Sequence, residues 1–226
     1  MQGGPPFRGR MLVLVGCGKM GSALLRGWIA NNVASYFRVV EPEGPPSSLA
    51  EVPNVSWHHV ADELPEEPPP TAVVFAIKPQ IIDEVLPSYR RWAYRQTLFV
   101  TIVAGKTIAG ITRRLGEASL VRTMPNTPAA IGRGITVACA NQRVTPEQRR
   151  LCDELLAAVG ESAWVENEAL LDAVTAVSGS GPAYVFLLIE ALAEAAESVG
   201  LPASLALRLA RATVAGSANA SISRKT

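Results

Sequence analysis

The sequence predicts an α/β protein, with a doubly wound parallel sheet first and a smaller all-α domain after it. Three observations lead there. Short, unbroken apolar runs alternate with helical patterns from Met11 onward, as in strands covered on both faces. A glycine-rich turn, Gly16-x-Gly18-x-x-Gly21, stands between the first run and the first helix. After Glu166 the strand pattern stops, and alanine- and leucine-rich helix replaces it.

The elements follow in order. "RMLVLVG" (10–16) reads as a buried strand, and helix 19–31 follows with Leu24, Leu25, Trp28 and Ile29 on one face. "FRVVE" (37–41) is a second strand. Segment 62–71, "DELPEEPPPT", reads as loop, because its prolines at 65 and 68–70 cannot donate to a ladder or a helix. "AVVFAIKP" (72–79), "TLFVTIVAG" (97–105) and "SLVRTMP" (119–125) are further strands, separated by helical segments 80–95 and 107–115. "GITVACA" (134–140), helix 146–159 and "SAWVE" (162–166) continue the alternation, and 167–177, 182–199 and 203–220 read as helix. The division implied is a loose extension at 1–10, a nucleotide-binding domain at 11–166 and a helical domain at 167–226.

Composition excludes several roles. With a net charge of +1 over 226 residues, the chain lacks the basic face of a nucleic-acid binder. Arg113-Arg114 and Arg149-Arg150 are isolated pairs that fit solvated helix faces. Cys17, Cys139 and Cys152 have no CxxC spacing, which argues for a reducing compartment, buried thiols and no zinc site. His58 and His59 are adjacent and would point apart on a strand, so no metal is expected. The run Met11–Val15 is too short for a signal h-region, and no run is read as approaching a membrane span. The expectation is a soluble, cytoplasmic protein that contacts neither membrane nor nucleic acid.

The glycine turn carries the first chemistry. In a strand–turn–helix, Gly16 permits the tight turn, Gly18 lets a pyrophosphate approach the backbone, and Gly21 lets helix and strand pack closely. The turn as a whole, with Cys17, Lys19 and Met20, is the expected dinucleotide site. Glu41 ends the second strand, where a carboxylate bonds ribose hydroxyls and repels a 2′-phosphate, favouring NADH. Ser178-Gly179-Ser180-Gly181 interrupts good helix former, so a break is expected there, with Ser180 or Gly181 capping the helix that Pro182 begins. Small side chains at 178–181 would let a flat substrate ring approach the backbone.

Taken together, "GCGKMG", "AIKPQ", "VRTMPNTPAAIGRG" and "DAVTAVSGSGPAYVF", in this order, resemble the pyrroline-5-carboxylate reductase family from about Met11 to Gly216. Val103 departs from it, standing where alanine is commoner. The resemblance implies reduction of the cyclic imine Δ1-pyrroline-5-carboxylate to L-proline with NAD(P)H, by hydride transfer that orientation and water exclusion promote. It implies that Ala76, Lys78 and Pro79 border the adenosine and phosphate side of the cofactor. Ala104 would back the nicotinamide beside Asn126, and Glu168 would lie near the cofactor. Thr175 and Ser180 would act at the substrate, held by Ser178, Gly179, Ser180 and Gly181. A homodimer or larger homo-oligomer through the C-terminal helices is implied as well. A 3-hydroxyacid dehydrogenase needs a lysine on the helix after this turn, and none lies between Glu166 and Arg224. The family continues into an SPGGTT-like loop where this sequence reads "ANASISRKT", so weak turnover, or a non-catalytic cofactor-binding remnant, is the corresponding expectation.

Overall fold

The structure, a computed structural model, describes residues 9–223. The expected extension, up to residue 8, lies outside them. The chain forms two compact units, Met1–Thr175 and Ala176–Thr226.

The first unit is built on an eight-stranded sheet in the order β3-β2-β1-β4-β5-β6-β7-β8. β1 (Met11–Val15) runs into α1 (Lys19–Ala30) and then β2 (Tyr36–Val40). β3 (Val55–His58) adds an edge strand parallel to β2 that the sequence pattern does not reveal. All four of its residues are half-buried, so neither alternation nor an apolar run marks it. A 3-10 turn, Ala61–Glu63, occupies the start of the proline-rich loop. β4 (Ala72–Phe75) and β5 (Leu98–Thr101) end earlier than expected, and their "AIKP" and "VAGK" continuations leave the sheet as turns. Between them, the helix expected at 80–95 is a single α turn, α2 (Ile82–Val85), followed by a 3-10 helix from Leu86 to Trp92. Pro87 has no N–H to continue the α ladder, and the tighter 3-10 path follows. α3 (Ile108–Leu115) leads to β6 (Ser119–Met124).

β7 (Gly134–Ala140) corrects the all-parallel expectation: it pairs antiparallel with β6, Val121 opposite Ala140 and Met124 opposite Val137. The connection at 125–133 holds only a short 3-10 turn, Thr127–Ile131, and a parallel crossover needs a dozen or more residues. α4 (Pro146–Ala157) then provides such a crossover, and β8 (Gly160–Trp164) lies parallel to β7. Thr145 and Gln148 form a reciprocal capping box at its start.

Each face of the sheet carries its own core. On one, Leu12, Leu14, Leu24, Leu25, Trp28 and Leu155 pack under α1 and α4, and Trp28 Nε1–H donates to the Leu155 carbonyl at 2.8 Å. On the other, Val13, Val15, Phe75, Phe99, Tyr89 and Trp92 pack under the 3-10 helix and α3. Truncating a Trp in such a core costs on the order of 3–5 kcal/mol. α5 (Leu170–Val174) belongs to this unit, because Leu171 is buried against Val137 and Cys139. The division between the compact units lies at 175/176, nine residues past the expected 166/167.

The expected interruption at 178–181 is helical instead. Thr175–Gly179 forms a π turn between α5 and α6 (Gly181–Ser198). Ser180 has helical φ/ψ of −87° and −24°, and its side chain makes no cap hydrogen bond. Pro182 lacks an N–H and crowds the carbonyl four residues before it, Ser178, which the wider π turn accommodates. As a result, residues 170–198 make one 29-residue helical run containing an 18-residue stretch of mean hydropathy 1.4, long and apolar enough to cross a membrane by length and composition. This overturns the reading that no run approaches that length. In the second unit α6 packs on α7 (Ala203–Ser223), where Ala193, Ala206 and Ala210 are buried. Small side chains there let the two helices approach.

Candidate cofactor and substrate site

The strand order reverses between β1 and β4, so a crevice opens outside their carboxyl ends. The glycine turn sits there. Gly16 has φ +89°, and a side chain on it would meet the Ala76 carbonyl at 2.7 Å. A Cβ on Gly21 would lie 2.3 Å from the Gly16 carbonyl oxygen. Gly18 differs: among the described residues nothing stands within 4 Å of the position its Cβ would take, and it is exposed at the N-cap of α1. Two glycines hold the turn against β4, and the third leaves its backbone open where the helix amides point outward. That is the cradle an anionic diphosphate fits.

Glu41 secures this turn from β2. Its Oε2 accepts the Cys17 N–H at 2.6 Å, and its Oε1 accepts the Glu43 N–H at 3.4 Å. Burial, reinforced by Glu41, pushes the Cys17 thiol up to about 11, so Cys17 stays protonated and inert at neutral pH. Beside the turn lies an apolar cavity of about 250 Å³, walled by Val15, Val40, Pro42, Ile77, Ile81 and Val85. Its lining, mostly apolar and including the His59 and Tyr89 rings as well as Glu84 and Ser88, suits a heteroaromatic ring. Lys78 is exposed and Pro79 half-buried in the turn after β4, next to Ala76, whose N–H donates to the Val15 carbonyl at 2.7 Å.

The rim continues along β5 and β6. Ala104 is exposed after β5, and Lys106 Nζ donates to Asp83 Oδ2 at 2.7 Å, joining the turn that follows β5 to α2. The Lys106 hydrogen bond holds the Asp83 carboxyl below its usual value. Asn126 is buried, and its Oδ1 accepts the Ile135 N–H at 2.9 Å, which ties the "MPNTP" loop to β7. Glu168 Oε1 accepts from Arg122 Nη1 and from the Ile108 N–H, both at 2.8 Å. Thr175 Oγ1–H donates to the Leu171 carbonyl at 2.8 Å, so its proton serves the helix. Ser178, Gly179, Ser180 and Gly181, all half-buried, belong to the second unit.

The structure thus brings Gly16, Gly18, Gly21, Glu41 and Ala76 together. It gives Glu168 and Asn126 protein partners that the sequence did not indicate. Sequence reasoning also missed Arg122 and the cavity wall at Ile81 and Val85. An arginine inside an apolar strand run was the available signal for the first; the second depends on the 3-10 path after Ile82.

A protein from Pisum sativum named pyrroline-5-carboxylate reductase is 33% identical over 208 residues, covering 92% of this chain and 76% of its own length. The chain belongs to the pyrroline-5-carboxylate reductase family. The family's dimerisation region, described as "Pyrroline-5-carboxylate reductase dimerisation", matches residues 168–226. A solved pyrroline-5-carboxylate reductase from Coxiella burnetii superposes with a TM-score of 0.86 at 30% identity, covering 95% of this chain and 80% of that one. The Plasmodium falciparum pyrroline carboxylate reductase, solved with NADP bound, gives 0.85 at 27% identity, with 97% and 81% covered. The matched region, 168–226, includes α6 and the described length of α7.

Proposed function

We propose that this chain reduces Δ1-pyrroline-5-carboxylate to L-proline with NAD(P)H. The observation that carries the reading is the open backbone at Gly18 on an otherwise closed strand–turn–helix, in a chain whose relatives bear this enzyme's name. The residues fit the cofactor. Gly16 to Gly21, with Cys17, Lys19 and Met20, would hold the pyrophosphate, and the cavity at Val15, Val40 and Ile81 would take the adenine. Lys78 and Pro79 would border the phosphates and adenosine, and Ala104 and Asn126 the nicotinamide.

When bound, the dihydronicotinamide supplies a hydride to the imine carbon as the C=N electron pair moves to the protonated nitrogen. The protein's own part is orientation and water exclusion. Thr175 and the small residues Ser178–Gly181 would face the substrate, and no strong general acid is required because the imine arrives protonated. We read Glu168 as a residue that shapes the site through its protein partners.

A second copy of the chain is the proposed partner for the apolar helices. Glu190, Glu194 and Glu197 recur along one side of α6, and carboxylates at that spacing are costly in a bilayer. Three buried free thiols fit a reducing, cytoplasmic setting.

The test is oxidation of NADH and NADPH in the presence of pyrroline-5-carboxylate, with proline as the product. Wild-type protein that binds neither nucleotide would sink the reading. Within it, Glu41→Ser is expected to weaken NADH binding by releasing the Cys17 N–H. It should also raise NADPH affinity relative to NADH by at least about fivefold, the worth of one unit-charge repulsion at ~4 Å in water. An unchanged ratio would remove Glu41 from cofactor selection.

A further inference from the structure

Arg122 lies in the middle of β6, between buried Val121 and Thr123, and is itself only 7% exposed. A guanidinium there without partners would be costly, so its partners are informative. Nη1 donates to Glu168 Oε1 at 2.8 Å, and Nη2 lies 3.7 Å from the Asp172 carboxylate. The same Glu168 oxygen accepts the N–H of Ile108, the first residue of α3, at 2.8 Å. A single carboxylate oxygen therefore joins β6, the start of α3 and the segment entering α5.

Each of those three pieces carries a residue assigned above to the reacting end. The turn before Ile108 holds Ala104, β6 runs on to Asn126, and α5 leads to Thr175. Apolar packing of Leu171 on Val137 and Cys139 holds α5 against the sheet but is non-directional. Charge-assisted hydrogen bonds are directional and specify register.

We propose that Arg122 is a positioning residue: through Glu168 it sets the 165–175 segment against the turn after β5, aligning Ala104, Asn126 and Thr175 around the reacting ring. This rests on the reductase reading. It separates holding the cofactor from using it, because the glycine turn and the apolar cavity draw on β1, β2 and β4 and on no member of the clamp.

The experiment compares Arg122→Met, Arg122→Lys and Glu168→Gln with wild type in nucleotide Kd, kcat, KM for the imine and backbone amide exchange. Arg122→Met is expected to lower kcat at least about tenfold, since small misplacements at a reacting centre cost up to about a hundredfold. NADPH Kd should stay within about twofold, the measure of an intact phosphate turn. Arg122→Lys, which keeps the charge, should recover several-fold of the lost kcat, and Glu168→Gln should fall between. The proposal is overturned if kcat is unchanged in Arg122→Met, if kcat and Kd deteriorate together, or if lysine rescues nothing. Should Arg122→Met fail to fold, wild-type kcat in both of the other variants overturns it. Should wild type not reduce the imine at all, the reductase reading fails separately. Amide exchange then decides: the milder variants must speed exchange at Ile108 and across 165–175 while leaving exchange across 16–21 as in wild type.

Discussion

Gly18→Val is expected to abolish NADH and NADPH binding while leaving the thermal midpoint within a few degrees of wild type. Among the described residues nothing stands within 4 Å of the new Cβ, so the fold gains no clash there. The valine instead fills the space over the first turn of α1, where helix amides would face the proposed diphosphate. Gly21→Ala should behave in the opposite order. Its Cβ would lie 2.3 Å from the Gly16 carbonyl, a backbone contact that no rotamer relieves. Overpacking of this kind costs about 1–3 kcal/mol or more, so the midpoint should drop markedly and binding should fall with it. Nucleotide fluorescence titration and calorimetry on both variants make the comparison. Wild-type affinity in Gly18→Val, or an undisturbed midpoint in Gly21→Ala, would show that the turn has been misassigned.

Phe186→Glu is expected to convert the protein from a dimer or larger assembly to a monomer. Phe186 is 57% exposed in the single chain and is flanked on α6 by the exposed Tyr184, Leu187 and Leu188. Its replacement therefore removes nothing from the chain's own core. In a two-fold interface the change is felt twice. At about 1.5–3 kcal/mol for each buried phenylalanine, the pair loses about 3–6 kcal/mol, a factor of about 10² to 10⁴ in the dissociation constant. Light scattering at micromolar concentration reads the outcome. A wild-type mass of one chain, or a variant that keeps the wild-type mass, would refute the homo-oligomer.

Much of the candidate site's geometry was legible because it is local. Gly16, Gly18 and Gly21 can be read from spacing, since each has its task within one strand–turn–helix. Glu41 could be read from its place at a strand end, but not its bond to the Cys17 amide, which needs β2 set beside β1. The helix expected at 80–95 became mostly 3-10 because of Pro87, a signal present in the chain and outweighed by an amphipathic pattern. At 178–181 small residues imitated a loop. Their helical path depends on a register shift before Pro182 that composition does not encode.

By itself the sequence determined the fold class, the position of nearly every strand and the glycine turn between β1 and α1, because hydrophobic periodicity and glycine stereochemistry act over a few neighbouring residues. It also determined the family, through four motifs in a fixed order. Only the tertiary structure decided that β7 turns antiparallel, that β3 extends the sheet, and that Arg122, Glu168 and Ile108 meet at one carboxylate oxygen. Those outcomes join residues up to 60 positions apart, and their energies come from pairings that exist only once the sheet has brought the partners together.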